Sequence, residues 1–145
     1  MSLYETDFYA WATLQAALLR AGRLDAADVD HIAEEIESMG RSEQRTLESR
    51  LAILMLHLLK WQHQPTLRCR SWDLSIVEQR RRLARHLRQN PSLKARLDES
   101  IAEAYGDAVI AAARETGLEP EAFPADCPWT FDQMMDAAFR PEPSA

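Results

Sequence analysis

Apolar side chains are densest between Leu51 and Trp61, where only His57 and Lys60 are strongly polar. Leu51, Ile53, Leu54, Met55, Leu56, Leu58, Leu59 and Trp61 project to every side of a helix. A helix that is apolar all round has to be enclosed by others. Each large side chain fully buried contributes roughly 1.5–3 kcal/mol, so residues 46–64 are expected to form the centre of the core.

The flanking stretches are amphipathic. Tyr4, Phe8, Trp11, Leu14 and Leu18 fall three or four apart, which predicts a first helix over residues 7–21. Gly22 sits where a helix ends in the left-handed conformation that glycine accepts cheaply. Asp25 is expected to cap the next helix, with Val29, Ile32, Ala33, Ile36 and Met39 on its buried face. Gly40 costs about 1 kcal/mol relative to alanine inside a helix, so a bend is possible there, with a continuous helix the preferred reading. A continuous helix would set Glu43, Arg50 and His57, seven apart, as a polar seam along an apolar face.

Residues 62–71 contain Pro65 and read as a loop. The next helix opens at Ser71-Trp72, or at the capping box Ser75-x-x-Glu78, and presents Ile76, Val77, Leu83, Ala84 and Leu87 inward. Asn90-Pro91 restarts the chain as a cap followed by proline at the first helical position. Leu93, Leu97, Ile101, Tyr105, Ala108 and Ala112 keep helical spacing down to Gly117. Pro120, Pro124 and Pro128 make the following stretch irregular. Thr130-x-x-Gln133 then starts a short helix through Met134, Met135 and Phe139. The expectation is therefore all-α: a single-domain bundle of about five helices over residues 1–139, around a fully buried central helix, with 140–145 as a flexible tail.

Composition changes this picture little. A chain of 145 residues, 46% hydrophobic and 28% charged, can bury a sizeable core without staples. Four glycines and no alternating β-branched runs argue against sheets. The aromatic, acidic start is unlike a signal peptide, and even the central stretch is too short to span a bilayer. No membrane association is expected. Cys69 and Cys127 form no ligand pair or disulfide framework, so a reduced, cytoplasmic setting is the default.

Several short stretches are suggestive in combination: AEEIESMGRSE (33–43), HLLKWQHQP (57–65), Ser71-Trp72, EQR (78–80), ETGL (115–118) and CPWT (127–130). Their order and spacing resemble the bacterial family called "domain of unknown function 29", over nearly the whole chain. The resemblance implies a small helical bacterial protein and carries over no activity and no functional residues.

Charge is what singles out candidate sites. The net charge is −6, yet residues 68–88 hold seven arginines against Asp73 and Glu78. Arg70, Arg80, Arg81, Arg82, Arg85 and Arg88 are thus candidates for contact with an anion or a partner, because clustered arginine attracts phosphate without regard to sequence. Nucleic-acid binding is possible on this basis but is not favoured for an acidic protein. The six acids of residues 25–37, unaccompanied by Lys or Arg, are the obvious internal partner for Arg80, Arg81 or Arg85.

Candidate catalytic residues are weaker: Glu34, Glu37, His57 and Lys60. A buried histidine with carboxylate and arginine partners can act as a base, although such groups more often fix helix packing. Lys60 can snorkel to the surface. Asp28-x-x-His31 and His31-x-x-Glu34-Glu35 only loosely follow bundle metal sites, so no metal is expected. No motif implies a cofactor. The leading reading is a non-catalytic interaction module that binds a protein partner or itself.

Overall fold

The computed structural model describes residues 1–144, and every regular element among them is helical. Helices α1 (Leu3–Thr6), α2 (Phe8–Arg20), α3 (Val29–His63), α4 (Arg70–Gln89), α5 (Leu97–Thr116) and α6 (Phe131–Met135) follow in that order. Short 3-10 turns lie at Pro65–Leu67, Pro91–Arg96 and Pro120–Ala122. The all-α expectation holds. The described residues cluster into two compact units, Met1–Ser42 and the remainder from Glu43 onward. No helix is long and apolar enough to cross a membrane.

In the first unit, Asp7 ends α1 and caps α2, accepting the Ala10 amide at 3.0 Å. Gly22, at φ 70°, closes α2 while the Arg23 amide reaches back to the Leu18 carbonyl at 2.8 Å. The next helix begins later than expected. Asp25 is not its cap but pairs with Arg23 at the surface, at 3.1 Å. Asp28 precedes Val29 instead, and its carbonyl accepts the Ile32 amide.

Burial in this unit also departs from the predicted stripes. Of the first stripe only Trp11 is buried, while Phe8 and Leu14 are about half exposed. On α3, Val29, Ile36 and Met39 are 54%, 59% and 62% exposed, so the apolar face expected to be covered is open. The reason lies in the chemistry of the neighbouring face. Asp28 and Glu35 accept the hydrogen bonds of Trp11 and Tyr4, and the His31 ring stacks on Tyr4. That hydrogen-bonded side of the helix is the one that packs.

Helix α3 runs through Gly40 without a break, where an added Cβ would meet nothing within 4 Å. In the second unit its residues Leu47, Leu51, Leu54 and Leu58 form a fully buried row, joined by Met55 and Leu59. Against this row pack Ile76, Leu83 and Leu87 of α4 and the small residues Ala104, Ala108 and Ala112 of α5. Val77, expected inward, is about half exposed. Phe123, Trp129 and Met134 complete the core. Tyr105 donates its hydroxyl to the Pro124 carbonyl at 2.6 Å, which anchors the proline-rich segment to α5. Helix α6 has the expected capping box at Thr130 and Gln133, but stops at Met135 rather than near Phe139.

The end of α3 is capped by distant residues. Arg68 Nε donates to the Trp61 carbonyl at 2.8 Å, and the Ser144 amide donates to the Gln62 carbonyl at 3.1 Å. Arg140 pairs with Asp73, and Pro141 is buried. The tail expected to be flexible over 140–145 therefore carries specific contacts over its described part.

Candidate functional site

Seven arginines between 68 and 88 are sorted by the fold into different roles. Arg80 is buried, and its fork donates to the carbonyls of Met134 at 2.6 Å and Phe139 at 2.9 Å. Burial, together with the nearby Arg140, lowers its pKa from the ordinary arginine value. Its partners are thus backbone carbonyls at the end of α6, not the acids of residues 25–37. Arg82 pairs with Glu78 one turn earlier, at 2.9 Å. Arg70, Arg81, Arg85 and Arg88 are exposed and make no hydrogen bond or ion pair among the described residues.

Arg82 and Arg85 nevertheless converge with groups from α3. Together with His86 and Gln89 they face Thr46 and Arg50 across a cavity of about 110 Å³. The helices are held in this register by His86, whose Nε2 lies 2.9 Å from the Glu43 carbonyl. A carbonyl only accepts, so Nε2 carries the proton. The Glu43 carboxylate lies 3.5 Å from the same nitrogen. Arg50, like Arg85, has no hydrogen-bond or ion-pair partner among the described residues. No carboxylate lines the cavity.

The polar seam expected at Glu43, Arg50 and His57 does not form a network. Glu43 meets His86, Arg50 faces the cavity, and His57 Nδ1 bonds the Ile53 carbonyl of its own helix at 2.8 Å. Lys60 is buried; its Nζ reaches Glu115 at 3.0 Å and sits 4.6 Å above the Trp72 ring. His57 and Lys60 thus engage separate partners. Glu34 and Glu37, in the first unit, are exposed and make no hydrogen bond or ion pair among the described residues.

The first unit holds a polar cluster of its own. Asp28 Oδ2 accepts the Trp11 indole N–H at 3.0 Å and lies 2.7 Å from His31 Nδ1. Gln15 accepts the Asp28 amide at 2.7 Å. Tyr4 stacks on the His31 ring at 4.0 Å and donates its hydroxyl to Glu35. The hydrogen bonds from His31 and Trp11 hold the Asp28 carboxyl below its usual range, and the Asp28 carboxylate raises the His31 pKa. The bond to Glu35 pushes the Tyr4 hydroxyl up to about 12. His31 has one carboxylate partner, and no third metal-ligating group converges there among the described residues.

Comparison with known proteins adds one fact. The family model described as "Domain of unknown function DUF29" matches residues 3–140. The chain belongs to the DUF29 family. No curated protein and no solved structure matches it.

For this DUF29 protein, sequence spacing singled out Arg82 and Arg85, set Arg50 in a seam with Glu43 and His57, and missed Thr46, His86 and Gln89 as lining of this cavity. The i, i+4 pair Thr46 and Arg50 was visible, as were 82, 85, 86 and 89 on one face of α4. What was missing was the antiparallel register that brings the two sets together. Burial raises the Cys127 pKa, so its nucleophilic thiolate form is disfavoured.

Proposed function

We propose that this DUF29 protein is a non-catalytic helical interaction module whose first unit associates with a second copy of the chain. The observation that carries the reading is the open apolar stripe Val29, Ile36 and Met39 on α3. Of the fourteen exposed large apolar residues, ten lie within Met1–Ser42. Scattered apolar residues at a surface are ordinary, but a concentration of this kind marks an interaction face. A two-fold pairing needs only one such stripe, because each copy covers the other. The two free cysteines suit a cytoplasmic setting.

Sedimentation velocity over a range of concentrations tests the reading. The expected result is a concentration-dependent dimer that the double substitution Ile36→Glu, Met39→Glu converts to a monomer of unchanged helicity. A wild-type chain that stays monomeric at its highest soluble concentration overturns it. The alternative, a nucleic-acid surface on residues 68–88, is weakened because Arg80, in the middle of the run, is occupied by backbone carbonyls.

A further inference from the structure

We infer that the cavity between α3 and α4 is a binding site for a phosphate group, held by Arg50, Arg82 and Arg85. The site belongs wholly to the second unit and does not depend on the association reading. Arg50 of α3 and Arg82 and Arg85 of α4 line it, and Thr46 and Gln89 add polar side chains. Arginine is the side chain best matched to an oxyanion, because its planar fork donates two parallel hydrogen bonds. Two of the three forks, those of Arg50 and Arg85, are uncommitted among the described residues. Of the acids beside the lining residues, Glu78 pairs with Arg82 and Glu43 lies 3.5 Å from His86, and neither lines the cavity.

Like charges facing one another across a small space repel, and a bound anion removes that penalty. Size narrows the class of ligand. The cavity is small, at about 110 Å³, with room for a few water-sized groups. That suits a tetrahedral oxyanion, whereas sites for drug-sized molecules run to several hundred Å³. His86 contributes rigidity. With Nε2 fixed on the Glu43 carbonyl, its ring cannot turn without breaking the bond that sets the helix register. The anion would therefore meet a framework already in place.

The full chain, labelled with ¹⁵N, is titrated with inorganic phosphate at constant ionic strength, with chloride as the reference. Saturable shifts centred on residues 46–50 and 82–89 are expected. Arg50→Gln and Arg85→Gln should each weaken binding roughly tenfold, the loss of one charge-assisted contact. Arg88→Gln, which removes the same charge outside the cavity, should leave the affinity unchanged. Phenyl phosphate distinguishes the source: equal affinity assigns the site to the phosphate of a larger molecule, and loss of binding assigns it to the free ion. Shifts no larger than those with chloride overturn the inference, as does an equal loss in all three variants. Because Arg85 is exposed, its variant keeps the test decisive even where Arg50→Gln impairs folding.

Discussion

Arg80 Nε lies 2.6 Å from the Met134 carbonyl, joining the middle of α4 to the last turn of α6. A five-residue helix cannot hold itself in water, and its terminal carbonyls need donors from elsewhere. Arg80→Met keeps the aliphatic bulk but strands those carbonyls. It should destabilise the protein by about 3 kcal/mol, measured by urea denaturation. Arg80→Lys should recover only part of the loss, since one ammonium cannot span the carbonyls that a fork reaches.

The Asp28–His31 pair makes the stability of the first unit depend on pH. The folded state raises the His31 pKa above 6.5, so its contribution is full below 6.5 and is lost as pH rises through the folded value. Asp28 is lowered below 3.8, so its contribution is present above 3.8 and is lost as pH falls through the folded value. Proton NMR of the His31 ring should show a midpoint above 6.5 that Asp28→Asn brings down. An unchanged midpoint in that variant would remove the pair from the account.

Core and surface leucines should separate cleanly. Leu54 and Leu58 are fully buried, and substitution of either by alanine should cost about 3–4 kcal/mol through lost burial and the cavity left behind. Leu74 is 50% exposed, so Leu74→Ala should stay within about 0.5 kcal/mol. Equal effects at the two kinds of position would mean that the core is misassigned.

Two glycines should respond in opposite directions to the same change. Gly40 sits in the interior of α3 with open space around it, and Gly40→Ala should raise stability by up to about 1 kcal/mol. Gly117 closes α5 at φ 77°, where Gly117→Ala is strained and should lower stability by about 1 kcal/mol. Thermal melts of the two variants read both signs.

Lys60 is the sequence-chosen catalytic candidate with the firmest structural surroundings. Its ammonium is shared between Glu115 and the Trp72 face, and Glu115 remains partly in water. Removing one partner of a buried pair is costly where the other charge is left without water, but Glu115 is 43% exposed and stays solvated when Lys60 is gone. Lys60→Met should therefore shift stability by less than about 1 kcal/mol, checked by urea denaturation.

The sequence reading succeeded where burial follows from apolar spacing alone. Leu47, Leu51, Leu54 and Leu58 were legible because a row of leucines has no alternative to the interior. The same logic failed at Val29, Ile36 and Met39, where hydrogen bonds from Trp11 and Tyr4 chose the neighbouring face of the helix. Spacing marks an amphipathic face but does not say whether a neighbour covers it. Arg80 was misread for a related reason. A charged residue in a basic run looks like surface, and its carbonyl partners come from a helix far along the chain. Of the proposed phosphate site, the arginines on α4 were legible, whereas Arg50 was read into a seam with Glu43 and His57, because pairing two helices is a tertiary event.

The last turn of α3 also has a consequence in time. The Gln62 carbonyl accepts its hydrogen bond from Ser144, in a segment without regular structure far along the chain. Amides in such segments ordinarily exchange quickly with solvent. Here the Ser144 amide serves as the cap of the longest helix, so its proton should exchange slowly, at the pace of larger openings of the second unit. This single amide proton becomes a clock for the opening of the interior.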